Sequence, residues 1–363
     1  MAAVGVDNKG MQTLHLRVDT DRADSPESQE AIYKASEILL GGGTVALPTE
    51  TVSGLGANAL DPNAVAAIFA AKERPGWDPL IVHVCDAAML ATVVAEVPEA
   101  ARRLMEVFWP GPLTLLLPRS ARIPDAVTAG RPLVGVRMPA HPVALAVIRR
   151  AGVPVAAPSA NRFGHTSPTT AEHVLQDLDG RIDAVVDAGP TACGVESTVL
   201  DPNTSPMTVY RPGAITLEQI RAIAGPTEMF VERDELRSAP PEAMPSPGVG
   251  LRHYAPRARL ILFDTGEALE DLEERLRRML QQHTSERVGV MLPAELSGEQ
   301  LASAVEIYAW GRWSEPEVLA HRLFAGLRAL DAAGCDVILC PQPKGVGIGM
   351  AIRDRLRKAA TPD

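Results

Sequence analysis

The sequence predicts an α/β protein of two units, a larger one built on a mixed sheet and a smaller one that follows it. Three observations predict this. Short apolar runs of strand type alternate with helix-period patterns through most of the 363 residues, the order that layers helices on sheets. Several strand-type runs follow one another too closely to hold a helix between them, which calls for antiparallel as well as parallel neighbours. Prolines and glycines crowd near residues 240–256 and the alternation restarts beyond them, as at a linker. A chain of this length exceeds one average domain and suits two. The division that follows is 25–230 for the first unit, 231–256 for the linker and 257–363 for the second.

After a ragged polar start, Ser25-Pro26-Glu27 opens a helix with a cap, a first-turn proline and an acid at the positive helix end. Ile32, Ala35, Ile38 and Leu39 form its apolar stripe, and Gly41-Gly42-Gly43 ends it. A strand at 44–47 runs into Pro48-Thr49-Glu50-Thr51, and Asp61-Pro62 starts a second helix through Ile68 and Phe69. The unbroken apolar run at 79–84 reads as a buried strand. Further strands are expected at 113–117, 133–137, 153–157, 184–187, 197–200 and 208–210, with helices at 142–149 and 170–178. Beyond Pro256, strands at 260–263, 288–291, 305–308 and 337–339 are separated by amphipathic helices, the last at 352–359.

A hydrophobic content of 46% with 22% charged residues is that of an ordinary folded protein and excludes wholesale disorder. The formal charge of −10 argues against a chain whose main work is gripping nucleic acid, which needs a basic surface to displace counterions. Cys85, Cys193, Cys335 and Cys340 form no C-x-x-C pair and no zinc spacing, so they read as reduced thiols. No apolar run reaches the roughly 18 residues of a membrane span. Met1 to Asp24 shows no basic segment followed by an apolar core. A cytoplasmic protein, without membrane, is the expectation.

There is no Walker loop and no G-x-S-x-G elbow. Gly345, Gly347 and Gly349 give G-x-G-x-G after the last strand, read as a tight strand-to-helix turn. What stands out is polar residues at strand ends and on loops: Thr49-Glu50-Thr51, Lys72-x-Arg74 and Ser159-x-Asn161. In open α/β sheets ligands bind outside strand ends. Lysine beside arginine suits a polyphosphate, the one as a point charge and the other as a fork.

In order along the chain, Pro48-Thr49-Glu50-Thr51-Val52-x-Gly54-Leu55-Gly56, Lys72-x-Arg74-Pro75 and Pro79-Leu80-Ile81-Val82-His83 resemble the YrdC-like domain. Trp109-Pro110-Gly111-Pro112-Leu113-Thr114, Val136-Arg137-Met138-Pro139, Ala157-Pro158-Ser159-Ala160-Asn161, Glu196-Ser197-Thr198-Val199 and Arg211-Pro212-Gly213 continue the likeness. Arg252-His253-Tyr254-Ala255-Pro256 and Asp354-Arg355-Leu356 resemble the linker and tail of the long, two-domain L-threonylcarbamoyladenylate synthase family. The resemblance implies a YrdC-like catalytic domain with a twisted mixed sheet and a smaller Rossmann-like α/β C-terminal domain. It implies a nucleotidyltransferase that joins L-threonine, bicarbonate and ATP, with Mg2+ carried in by ATP and no resident metal. Its product would feed a downstream tRNA threonylcarbamoyl-transfer machinery, with at most weak contact to tRNA itself.

By the same resemblance Lys72 and Arg74 are catalytic and belong to the ATP site with Asp78, Leu133, Ser159, Asn161, Ser167, Arg211 and Tyr254. L-threonine would meet Thr51, His83, Arg137, Ala157 and Ser197, with the Arg137 fork on its carboxylate. Two positions depart from the family pattern: Ser53 stands where tyrosine is usual and Asp78 where asparagine is usual. The first predicts a looser pocket. The second predicts repulsion of up to about 4 kcal/mol from a phosphate about 4 Å away at an effective dielectric near 20, reversed by a bridging magnesium ion. Two other readings stay open on the residues: a carbamoyl-transfer relative of the same fold with another acceptor, and a non-catalytic RNA-binding protein.

Overall fold

The computed structural model describes residues 12–231, 243–246, 253–264, 269–296 and 305–361. In chain order the first unit comprises β1 (Leu14–Arg17), α1 (Pro26–Leu40), β2 (Val45–Leu47), β3 (Gly54–Asn58), α2 (Pro62–Lys72), β4 (Ile81–His83), α3 (Ala87–Val93), α4 (Glu99–Phe108) and β5 (Leu113–Pro118). It continues through α5 (Asp125–Thr128), β6 (Leu133–Arg137), α6 (Pro142–Ala151), β7 (Val155–Ala156), α7 (Ala171–Leu178), β8 (Ala184–Asp187), β9 (Thr198–Asp201), β10 (Met207–Arg211), α8 (Leu217–Ala224) and β11 (Thr227–Met229). The second unit comprises β12 (Arg259–Asp264), α9 (Leu269–Gln282), β13 (Val288–Pro293), β14 (Glu306–Gly311), α10 (Pro316–Ala332), β15 (Val337–Gln342) and α11 (Gly349–Ala360).

The start of α1 follows its sequence signals: the Ser25 side chain accepts from the Ser28 N–H, and the Gly41 N–H closes the far end on the Glu37 carbonyl. Three strands are additions to the sequence reading, β1, β3 and β11, the last pairing in parallel with β10. Residues 14–17, expected as a ragged start, pair in parallel with β8 at the sheet edge. Gly54–Asn58, glycine-rich like a loop, is an inner strand between β2 and β7. Its glycines are needed for close approach: a Cβ on Gly56 would lie 2.8 Å from Val155 Cγ1.

Eleven strands form one mixed sheet in the order β1-β8-β2-β3-β7-β4-β6-β5-β9-β10-β11. Helices cover both faces of its β2 end. In β2, Val45 and Leu47 join Ile32, Leu39, Val147 and Ile148 of α1 and α6, whereas Ala46 joins Val65, Ile68 and Val174 of α2 and α7; alternate residues of a strand point to opposite faces. The second sheet, β12-β15-β13-β14, is parallel throughout. The glycine-rich segment ahead of α11 is the expected tight turn, with Gly347 at φ +56° and a Cβ on Gly349 only 2.1 Å from the Lys344 carbonyl oxygen. All four cysteines are free. Among the described residues no helix is long and apolar enough to cross a membrane. Of the linker, 231, 243–246 and 253–256 are described; Arg252 and most of the expected strap lie outside the described residues.

Candidate active site

Parallel pairing of β4 with β6 sets His83 directly opposite Arg137 at the strand ends. Arg137 donates from Nε and Nη2 to His83 Nε2 at 3.2 and 2.9 Å, and from Nη1 to Glu50 Oε1 and Thr51 Oγ1 at 3.0 and 3.1 Å. Glu50 Oε2 accepts from the Ala140 N–H. Burial, with the Arg137 charge beside it, holds His83 well below the ordinary histidine range, so the ring is neutral. Thr51 is fixed in turn through Thr49 Oγ1, 2.9 Å away. This corner is a buried, internally compensated polar cluster.

Beside it lies a group of cations. Lys72, the last residue of α2, is 1% exposed and gives its ammonium to the carbonyls of Ser159 and Asn161 at 2.6 and 2.5 Å. Burial, with Arg74 adding to it, pushes that ammonium well below the ordinary lysine range. Arg74 pairs with Asp78 Oδ2 at 2.9 Å and donates to the Pro79 carbonyl. Arg211, at the end of β10, grips the Ser197 carbonyl at 2.9 Å and Ser197 Oγ at 3.1 Å. The tight approach there depends on Gly213, where a Cβ would stand 2.3 Å from the Thr198 nitrogen.

The linker closes over these cations. His253 packs edge-on to Phe163, with ring centroids 5.5 Å apart. Burial, then the charges of Arg74, Lys72, Lys358 and Arg211, keep it well below the ordinary histidine range. Tyr254 is 1% exposed and sits at φ +66°, a left-handed conformation unusual for a bulky residue. Its ring stacks on Phe324 of α10 at 5.7 Å and faces the Arg355 guanidinium of α11 at 5.3 Å. Asp78 Oδ1, Asn161 Oδ1 and His253 Nδ1 are buried without a hydrogen-bond partner around this one region. Such atoms are uncommon and costly. The cleft runs from Thr51, His83 and Arg137 past Ala157 and Ser197 to Arg74, Arg211 and Tyr254.

Comparison with known proteins decides the family. Residues 37–213 match the family described as "Telomere recombination", and residues 215–361 match "Threonylcarbamoyl-AMP synthase, C-terminal domain". The threonylcarbamoyl-AMP synthase of Bacillus subtilis is 44% identical over 96% of this chain and 98% of its own length. That of Pyrococcus abyssi is 40% identical over 90% of this chain and 93% of its own. The crystal structure of the P. abyssi Sua5 protein complexed with L-threonine superposes with a TM-score of 0.86 at 38% identity, over 96% of this chain and 98% of that one. The chain belongs to the threonylcarbamoyl-AMP synthases. It is a nucleotidyltransferase of the tRNA threonylcarbamoyl-adenosine modification, and the carbamoyl-transfer and RNA-binding alternatives give way to that reading.

In this synthase Thr51, Arg74, His83, Arg137, Ala157, Ser159, Ser197, Arg211 and Tyr254 all line the cleft. Lys72, Asp78, Asn161 and Ser167 stand behind the lining and support it; Ser167 bonds Glu196 at 2.5 Å. Leu133 opens β6, packs with Ile81, Leu116 and Val199, and is not itself in the cleft lining. Lys72 and Arg74 are both buried. Asp78 is not a free carboxylate facing phosphate, because Arg74 already pairs with it. Ser53 is absent from the lining, between Val52 and Gly54 that belong to it; it is buried and gives its N–H to the Pro168 carbonyl. Glu50, Glu196 and His253 join the site without having been assigned a ligand role. Each sits inside a motif quoted for the family, which was the available signal. Among the described residues no group of three or more His, Cys, Asp or Glu could hold a metal.

Proposed function

We propose that this synthase binds L-threonine at the Thr51–His83–Arg137 corner and ATP along the Arg74–Arg211–Tyr254 side, so that the carbamate oxygen meets the α-phosphate between them. The threonine amine and CO2 or bicarbonate form a carbamate; its oxygen attacks the α-phosphate, and pyrophosphate leaves to give L-threonylcarbamoyl-adenylate. MgATP enters as substrate. Such nucleotidyl transfer needs alignment and countercharge more than acid–base help. Lys72 stiffens the Ser159–Asn161 loop, while Arg74 and Arg211 supply positive charge to the triphosphate. His253 and Tyr254 shield the adenylate, a mixed anhydride open to water, from solvent. We place the work in the cytoplasm, ahead of the machinery that transfers the group to tRNA.

The observation that carries this reading is the division of the one cleft into a compensated polar corner and a cation-rich side. Direct binding measurements test it. Arg137→Lys keeps the charge beside Glu50 but loses the fork, so L-threonine should bind about tenfold or more weakly with ATP little changed. Arg74→Lys should do the reverse. Equal weakening of both ligands by either variant contradicts the division.

A further inference from the structure

We propose that Arg355 is the positioning residue by which the second domain readies the cleft for ATP, neutralising the Glu196 carboxylate that lines it and holding Tyr254 over it. The inference rests on the assignment of the cation-rich side to ATP. Arg355 lies on α11, yet its side chain is 1% exposed and is spent on the first domain and the linker. Its Nε donates to Glu196 Oε2 at 2.7 Å, its Nη1 to the Pro212 carbonyl at 2.9 Å, and its guanidinium lies 5.3 Å from the Tyr254 ring centroid. Nη1 also meets the neighbouring Asp354 carboxylate at 2.6 Å.

Each contact falls on something the cleft uses. Pro212 follows Arg211. Tyr254 sits in the left-handed region, a conformation that persists only where the surroundings over-determine it, and beside His253 of the linker its ring meets Arg355 and Phe324, both from the second domain. Glu196 is a negative group in the wall of a site for a polyphosphate. Its other oxygen is taken by the neutral Ser167 hydroxyl, and Arg211, although its charge acts on the carboxylate from nearby, turns Nε and Nη2 to Ser197. The cation hydrogen-bonded to that carboxylate is therefore Arg355. Without it, a buried carboxylate would face the incoming nucleotide without its hydrogen-bonded cation, and like charge at short range opposes binding. A bond that only glued two domains together would not make ATP binding depend on the charge of Glu196.

The test uses the full chain and starts with adenylate formation by the unaltered protein. Failure there overturns the cleft assignment, and this inference with it. Given adenylate, Arg355→Met should raise KM for ATP by about tenfold or more, the scale of a lost charge-assisted hydrogen bond, with KM for L-threonine within about twofold. Arg355→Met combined with Glu196→Gln should recover most of that KM, because the offending charge is gone. Arg355→Lys should fall between, and it carries the test if Arg355→Met does not fold. An unchanged KM for ATP in the folded variants overturns the proposal. So does a rise in both KM values that Glu196→Gln leaves untouched.

Discussion

The Lys72 ammonium holds two backbone carbonyls, and Arg74 holds a carboxylate, so each cation is part of the fold as well as of the proposed site. Removing one partner of a buried pair leaves a stranded charge, at a cost of about 3–5 kcal/mol. Arg74→Ala should therefore lower the thermal midpoint and abolish pyrophosphate release. Adding Asp78→Asn should restore much of the midpoint and none of the activity. Full stability of Arg74→Ala alone would contradict the pairing. A pH dependence follows from the same burial. His83 and His253 have folded-state pKa values well below 6.5, so as pH falls below that value the unfolded chain binds protons the folded chain refuses. Stability is then full above about pH 6.5 and drains away on acidification toward the folded values. Thermal melts between pH 8 and pH 5 should show a falling midpoint, flattened in His253→Asn; a midpoint that rises with acid would refute the neutral rings. At this scale the sequence shows which residues are polar and where motifs fall. It does not show that Glu50 meets Arg137 across 87 residues or Glu196 meets Arg355 across 159, because those partnerships exist only once the sheet is assembled.

Capping and patterning make α1, α2 and α6 legible from sequence, since each opens on a proline at its first turn with a local apolar stripe behind it. The strand β3 is not legible that way. Its glycines serve a close approach to β7 that no local window reveals. The loop before β9 works likewise at the domain contact: Gly194 sits at φ +73°, and a Cβ there would lie 2.4 Å from His321 Cα on α10. Gly189 has a similar φ of +84° with nothing within 4 Å, so it isolates the backbone cost. Gly194→Ala should destabilise more than Gly189→Ala by about 1–3 kcal/mol, the usual scale of overpacking, and should impair synthesis as α10 shifts away from Tyr254. Denaturant titrations of the two variants measure the difference. Equal losses would mean the loop does not seat on α10.

The two units fold around separate sheets but share a core. Val52 and Val195 of the first unit and Tyr254 of the linker cluster with Trp310, Phe324 and Ile352 of the second. The restart of alternation beyond residue 256 makes the second unit legible as an α/β fold, whereas its docking onto the cleft is a tertiary fact without a local signal. That docking is what makes the whole chain the functional unit: the wall of the cleft is completed by the linker and backed by α10 and α11. The most direct measurement is incubation of the full chain with ATP, bicarbonate and each amino acid in turn, followed by mass analysis of the adenylates. The account predicts threonylcarbamoyl-adenylate and pyrophosphate with L-threonine, and loss of both when bicarbonate is withheld. No adenylate with L-threonine, or a carbamoyl product on a different acceptor, would contradict it.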